Sequence, residues 1–230
     1  MSTSVKIGEY TEAHLLGVAK DVVEKKTKDS VILDVKAEER IPKFQLKELT
    51  IGKVLGRGGF CVVNEITKIT LSKDGGSSGN ANNRKSDDEH YIANVVQDRG
   101  FMAQHCIRQG KDYRYAIKMV QPSSRKDPHV YINAVVDLAV ESRFLAVVRH
   151  PNIIKMRSMS GESPFDSRFF VLLDRLYDIM PVRLNKWKKQ AGGGFKALLK
   201  SKKAKEAFFV ERLTVAYDIA CALSYLHGLK

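Results

Sequence analysis

The sequence predicts an α+β fold, and three features predict it. A glycine-rich run, Leu55-Gly56-Arg57-Gly58-Gly59-Phe60-Cys61-Val62-Val63, lies between two β-branched, partly alternating flanks, so it reads as the turn of a β-hairpin. A second alternating run, Tyr113 to Val120, reads as a strand with Lys118 among apolar neighbours. A helix then starts at Asp127, an N-cap residue, with Pro128 at its first position.

The elements follow in order. Residues 9 to 26 carry Leu15, Leu16, Val18, Ala19, Val22 and Val23 at helical spacing and close on Glu24-Lys25-Lys26. This amphipathic helix is expected to pack on the main domain or on a partner. Pro42 opens the approach to Phe44–Leu49, which runs into the first hairpin strand. At the hairpin tip, Gly56, Gly58 and Gly59 carry no Cβ, so a polyphosphate could approach the backbone closely. On the loop alone, a plain turn fits equally well.

From Ser72 to Lys111 the pattern dissolves into a polar insertion, read as unstructured in its first half. A long loop here costs little, roughly 0.6 kcal/mol per doubling of length. His90, His105 and Cys106 lack paired zinc-ligand spacing and read as scattered polar residues. In the helix after Asp127, the stripe Ala134, Leu138, Leu145 and Val148 has one intruder, Glu141. At 100° per residue Glu141 points inward, and a buried carboxylate needs a cationic partner or a shifted pKa. Lys118 is the expected partner. Further strands are read at Ile153–Met156 and Phe169–Leu173, and a helix at Val210–Leu226.

Composition bounds the function. The 43% hydrophobic and 28% charged content is that of a soluble globular chain, and no apolar stretch approaches a bilayer span. Cys61, Cys106 and Cys221 are odd in number and scattered, and no signal-peptide core follows Met1. A cytoplasmic or nuclear location is therefore expected. The net charge of +13 invites a nucleic-acid reading, but much of the excess lies between Arg183 and Lys205. Only Trp187 and Phe195 are available there for base stacking. That stretch reads as a solvated linker or helix face, with docking of an acidic substrate or partner as the alternative, and a nucleic-acid partner is not expected.

With these parts in this order, the chain from about Leu46 onward resembles a eukaryotic protein kinase. The glycine run is similar to that family's phosphate-covering G-x-G-x-x-G-x-V loop, and Tyr115-Ala116-Ile117-Lys118 is similar to its V-A-I-K strand. The spacing from Glu141 to His150-Pro151-Asn152 matches that of the family's αC glutamate. The resemblance implies an antiparallel β N-lobe with the αC helix, then the first helices of an α-helical C-lobe. It implies ATP and Mg2+ as cofactors and phosphoryl transfer to protein hydroxyls, with serine/threonine as the default acceptors. Lys118 would hold the α/β-phosphates and Glu141 would orient it. Gly56, Arg57, Gly58, Gly59, Phe60 and Cys61 would cover the phosphates. Leu55 and Val63 would roof the adenine, Ala116 would wall it and Leu173 would be the gatekeeper. The backbones of Asp174 and Leu176 would hydrogen-bond the base edge.

Two departures qualify the match. Cys61 stands where the family has its third glycine, and a thiol at the loop tip is an alternative role for it. The sequence also runs only to Tyr225-Leu226-His227-Gly228-Leu229-Lys230. It contains no H-R-D-x-x-x-x-N loop, no D-F-G aspartate, no A-P-E segment, and so no family ligand for the metal. The expectation is a truncated kinase domain that binds magnesium-ATP weakly and transfers no phosphate. The organisation expected is an N-terminal extension over 1–45, an N-lobe over 46–173, and a hinge, basic linker and incomplete C-lobe over 174–230. The helix 210–226 is apolar around most of its circumference, which calls for a covering partner. The alternative function is a non-catalytic kinase-like nucleotide-binding or scaffold module.

Overall fold

The computed structural model describes residues 5–33, 35–72, 86–108, 112–191 and 202–229. It divides into two compact units, one of residues up to Arg149 with Ile154–Arg175, the other His150–Ile153 with Leu176 onward.

The first unit opens with strands β1 (Lys6–Ile7) and β2 (Tyr10–Thr11), a short antiparallel pair. Helix α1 spans Glu12–Thr27. It begins three residues later than the sequence pattern suggests because Thr11 is its N-cap, with Oγ1 accepting from His14 N at 3.3 Å. Leu15, Ala19 and Val23, spaced i, i+4, i+8, form its buried stripe. A short α2 (Val35–Glu39) and β3 (Lys43–Phe44) lead to β4 (Leu49–Arg57) and β5 (Cys61–Ile69), the two arms of the glycine hairpin. Helix α3 (Ser86–Gln104), β6 (Tyr115–Val120), α4 (Pro128–Val147), β7 (Met156–Ser160) and β8 (Phe170–Asp174) complete the unit.

Six strands form one sheet in the order β3-β7-β8-β6-β5-β4. Its pairs are antiparallel except β3 with β7, which is parallel, so the sheet is mixed and not the wholly antiparallel one expected. Alternation along β6 sends Tyr115, Ile117 and Met119 to one face and Ala116, Lys118 and Val120 to the other. On the first face Tyr115 and Ile117 join Phe44, Ile66, Phe170, Leu172, Met102 and Cys106 in a buried cluster. A second cluster joins Leu15, Ala19 and Val23 of α1 to Tyr131, Val135, Val136 and Ala139 of α4. The amphipathic helix of the N-terminal extension thus packs on α4, one of the two outcomes its pattern allowed.

Helix α4 starts as read. Asp127 Oδ1 accepts from Val130 N at 2.9 Å and Pro128 occupies the first turn. Ala134, Leu138, Leu145 and Val148 are all buried.

The insertion is the main correction to the sequence reading. Met102 and Cys106, at and just beyond the end of α3, enter the first cluster, and Arg99 is buried. The segment 73–85, expected to lack structure, lies outside the described residues, as do the side chains of 86–93, including His90. Two strand starts also shift. β7 begins at Met156, because Ile153 is held in a turn by its N–H bond to His150 O, and β8 begins at Phe170.

In the second unit, α5 (Met180–Ala191) and α6 (Lys202–Gly228) are the described helices. Arg183 is paired with Asp178 at 2.8 Å and Glu211 at 3.4 Å, while Lys186, Lys188 and Lys189 face solvent beside buried Trp187. Lys196, Lys200 and Phe195 lie outside the described residues. Helix α6 is longer than the 210–226 expected, and none of its described side chains is buried within the unit. Asn152 Nδ2 donates to Asp218 Oδ1 at 3.2 Å, and His150 packs on Tyr225.

Candidate functional site

Sheet register brings Gly56, Val63, Lys118, Ala116 and Leu173 of the predicted residues to one face. Gly56 pairs with Val63, Val63 with Lys118, and Lys118 with Val171, so these four form a rank across four strands. Residues directly opposite across a ladder share a face. The next rank, Glu65-Ala116-Leu173, lies on the same face by the two-residue period. Leu55 is the extra residue where the β4 register shifts between Val54 and Gly56, and such a bulge re-aims its side chain.

Helix α4 lies over this face. From it Glu141 Oε2 accepts a hydrogen bond and ion pair from Lys118 Nζ, as the helical geometry required. The pair is not sealed. The side chains retain 20% and 29% of their accessibility because they form one end of an open cleft of about 510 Å³. Asp137 adds a second carboxylate to that polar end, and Val140 and Phe144 supply apolar wall. Asp137 and Phe144 sit four residues before and three after Glu141, on the same helix stripe, a signal the sequence carried unread. The remaining wall, Ser30, Ile32 and Leu33, comes from the N-terminal extension, and no sequence feature marked it.

The hairpin tip is small and tied down. Gly58 N donates to Cys61 O at 2.8 Å, which leaves Gly59 and Phe60 as the loop proper. Gly56 belongs to strand β4 and not to the turn. Gly56, Gly58 and Gly59 do not use the left-handed backbone region, which among the described glycines Gly8 alone adopts. A Cβ added at Gly56 or Gly59 would meet nothing within 4 Å, and at Gly58 only Cys61 O at 3.7 Å. The protein's own packing therefore does not demand glycine at these positions. Gly52 differs, since a Cβ there would come within 2.6 Å of Thr67 Cγ2.

For Cys61, the structure speaks against the alternative role as a loop-tip thiol. This residue is the first of β5, paired with Val120 and buried. Burial pushes its thiol up to about 11, against the pull of Lys118 and with the push of Glu141 and Asp137. Such a thiol is not a reactive one. Arg57 at the hairpin is exposed and Phe60 half-buried.

On the opposite face of the sheet, in register with Tyr115, the Asp174 carboxylate is held bidentately by Arg157, with Nε and Nη2 each donating at 2.8 Å. Asp174 N–H is taken by Lys155 O at 3.1 Å and Arg175 N–H by Arg114 O at 2.8 Å. Arg175 also pairs with buried Glu65 at 3.0 Å. Leu176 belongs to the second unit, where its side chain is 61% exposed.

Of the residues set aside as metal ligands, Cys106 is buried with Sγ facing Ile66 O at 3.5 Å, and His105 stacks on Phe101. Among the described residues no group of three or more histidine, cysteine or acidic side chains is placed to hold a metal ion. Nor is any described helix long and apolar enough to cross a membrane. No protein-family model matches the chain, and no curated protein matches it in sequence. What the chain presents is a lysine on a central strand, held by a helix carboxylate, on the same sheet face as a glycine hairpin.

Proposed function

We propose that this chain carries the ATP-binding lobe of a protein-kinase-like enzyme, the parent activity being phosphoryl transfer to protein serine or threonine hydroxyls. The observation that carries the reading is the Lys118–Glu141 pair, set two strands away from Gly56 in the same rank. An exposed lysine would drift among many rotamers. Pairing with Glu141 holds its ammonium in one place, where it attracts phosphate oxygens as a point charge.

Residues of this chain fit the nucleotide. Gly56, Gly58 and Gly59 leave open space where side chains would otherwise stand. Val63, Ala116 and Leu173 offer apolar surface on the lysine's face of the sheet, suited to a flat base. Bound magnesium-ATP would supply the phosphoryl group. No residue of this chain is assigned to hold Mg2+ or to orient an acceptor hydroxyl, so nucleotide binding without phosphate transfer is the activity expected of these 230 residues.

Titration of the purified protein with magnesium-ATP tests this. Binding that disappears in Lys118→Met and weakens in Glu141→Gln supports the reading, provided both variants melt as a folded protein. Equal binding by the wild type and Lys118→Met overturns it.

A further inference from the structure

The glycine hairpin is anchored from outside its own strands. Gln121 N–H donates to Phe60 O at 3.0 Å, Gln121 Nε2 donates to Gly59 O at 2.8 Å, and Ser124 Oγ donates to Phe60 O at 3.2 Å. All three donors belong to one short stretch. Gln121 is the N-cap of a 3-10 turn, Pro122–Lys126, and Ser124 is buried inside it.

A two-residue tip flanked by Gly58 and containing Gly59 has few side chains to pack, and its glycines have more backbone freedom to lose than any other residue. Three donors on two successive carbonyls remove that freedom. Because the peptide group is planar and trans, fixing the carbonyls of Gly59 and Phe60 also fixes the N–H groups of Phe60 and Cys61. Both N–H groups are thereby turned away from residues 121–124. The turn is itself held firmly. Arg125 Nη2 donates to Ser167 O at 2.6 Å, Arg125 pairs with Glu12 of α1 at 3.7 Å, and the next residue after the turn, Asp127, caps α4. One five-residue turn thus connects the hairpin tip to the start of the helix that carries Glu141.

We infer that Gln121 and Ser124 are positioning residues of the nucleotide site, holding the hairpin by its carbonyl groups so that its amide groups are set in advance for a polyphosphate. This rests on the nucleotide-binding reading above. A preset loop has less ordering entropy left to lose on binding, so the tether appears as affinity.

Amide hydrogen exchange across residues 56–62 and titration with magnesium-ATP test it together. Gln121→Ala removes the side-chain donor, and Gln121→Glu keeps the side chain's size while removing the donor. Both variants retain the backbone bond to Phe60. Exchange at 58–61 is expected to quicken about fivefold in each, as for loss of one ordinary hydrogen bond, and magnesium-ATP binding to weaken about three- to tenfold. Ser124→Ala is expected to add to the effect. Exchange across α4 and β8 should stay as in the wild type. Unchanged exchange at 58–61 in both Gln121 variants overturns the inference. So does acceleration spread evenly over the sheet, which would mark a general structural role. A wild type that binds no magnesium-ATP, with variants that still loosen the tip, overturns the nucleotide reading and leaves the tether standing.

Discussion

Arg99 Nη2 donates to Glu48 Oε1 at 2.7 Å, and the two side chains keep only 10% and 1% of their accessibility. The arginine comes from a helix within the segment read as a polar insertion, and the glutamate from the approach to the first hairpin strand, β4. Each is satisfied further. Glu48 accepts from Gln45 N at 2.8 Å, Ser72 N at 2.9 Å and Ser72 Oγ at 2.8 Å. Arg99 Nη1 donates to Lys43 O at 2.8 Å, and its guanidinium lies 4.9 Å over the Phe44 ring. Helix α3 is therefore fastened to the segment between β3 and β4 by a buried charge network.

Breaking one half of such a pair strands the other charge in the interior. Arg99→Met is expected to destabilise the fold by about 3–5 kcal/mol. The double variant Arg99→Met, Glu48→Gln is expected to lose less than the sum of the singles, because no bare charge then remains. Urea unfolding of the four proteins checks this. Additive losses would mean the two residues do not act as a pair.

The same carboxylate makes stability depend on pH. Burial pushes Glu48 up, but the hydrogen bonds from Gln45 and Ser72, with the Arg99 charge, outweigh burial and hold it below the ordinary carboxylate value of 4.5. A depressed carboxylate stabilises the fold above its unfolded pKa and loses that contribution as pH falls through the folded value. The stability difference between wild type and Glu48→Gln should be flat above about pH 5 and shrink progressively below it. Unfolding curves at a series of pH values read this directly. A difference that grows on acidification would contradict the assigned sign.

Lys118 and Glu141 form the opposite kind of pair, half open to a cleft. Solvent screens it, so its coupling to stability is expected to be about 0.5–1 kcal/mol in a double-mutant cycle. Its effect on magnesium-ATP affinity should be much larger, since the ammonium would meet the phosphates directly. A cycle measured once by unfolding and once by titration separates the two roles. Equal coupling in both would identify a merely structural bridge.

These two pairs show what was legible in the sequence. Lys118 and Glu141 could be matched because a strand alternates with period two and a helix with 3.6, and both periods run unbroken through them. Asp127-Pro128 announced the α4 start by chemistry local to four residues. Arg99 and Glu48 offered nothing of that kind. Their match depends on how α3 meets β5 and on Ser72, contacts far apart in the chain that no local period encodes. Helix α3 itself was missed because its polar surroundings mask a short inward stripe ending at Met102. The parallel β3–β7 pairing was equally hidden, since β3 is only two residues long. In the site, Gly56, Val63 and Lys118 were singled out by the glycine run and the resemblance, while their shared face depends on sheet register and the wall from Ser30 to Leu33 on the path of the chain after α1.

Glycines offer the sharpest separation between folding and binding. At Gly52 a Cβ would come within 2.6 Å of Thr67 Cγ2 and 2.7 Å of Glu65 Cγ. Neither neighbour is free to swing, because Thr67 Oγ1 donates to Thr50 O at 3.0 Å and Glu65 is ion-paired with Arg175. Gly52→Ala is expected to destabilise by about 1–3 kcal/mol through overpacking. Gly56→Ala and Gly59→Ala meet open space, so each should leave stability unchanged or raise it by about 0.4–1 kcal/mol through the unfolded state. If the hairpin covers phosphates, the added methyl groups stand where the ligand approaches, and magnesium-ATP affinity should fall in both while the melting temperature does not. Gly52→Ala should lower the melting temperature without a selective loss of affinity. Wild-type affinity in Gly56→Ala and Gly59→Ala would mean that these glycines serve the turn alone.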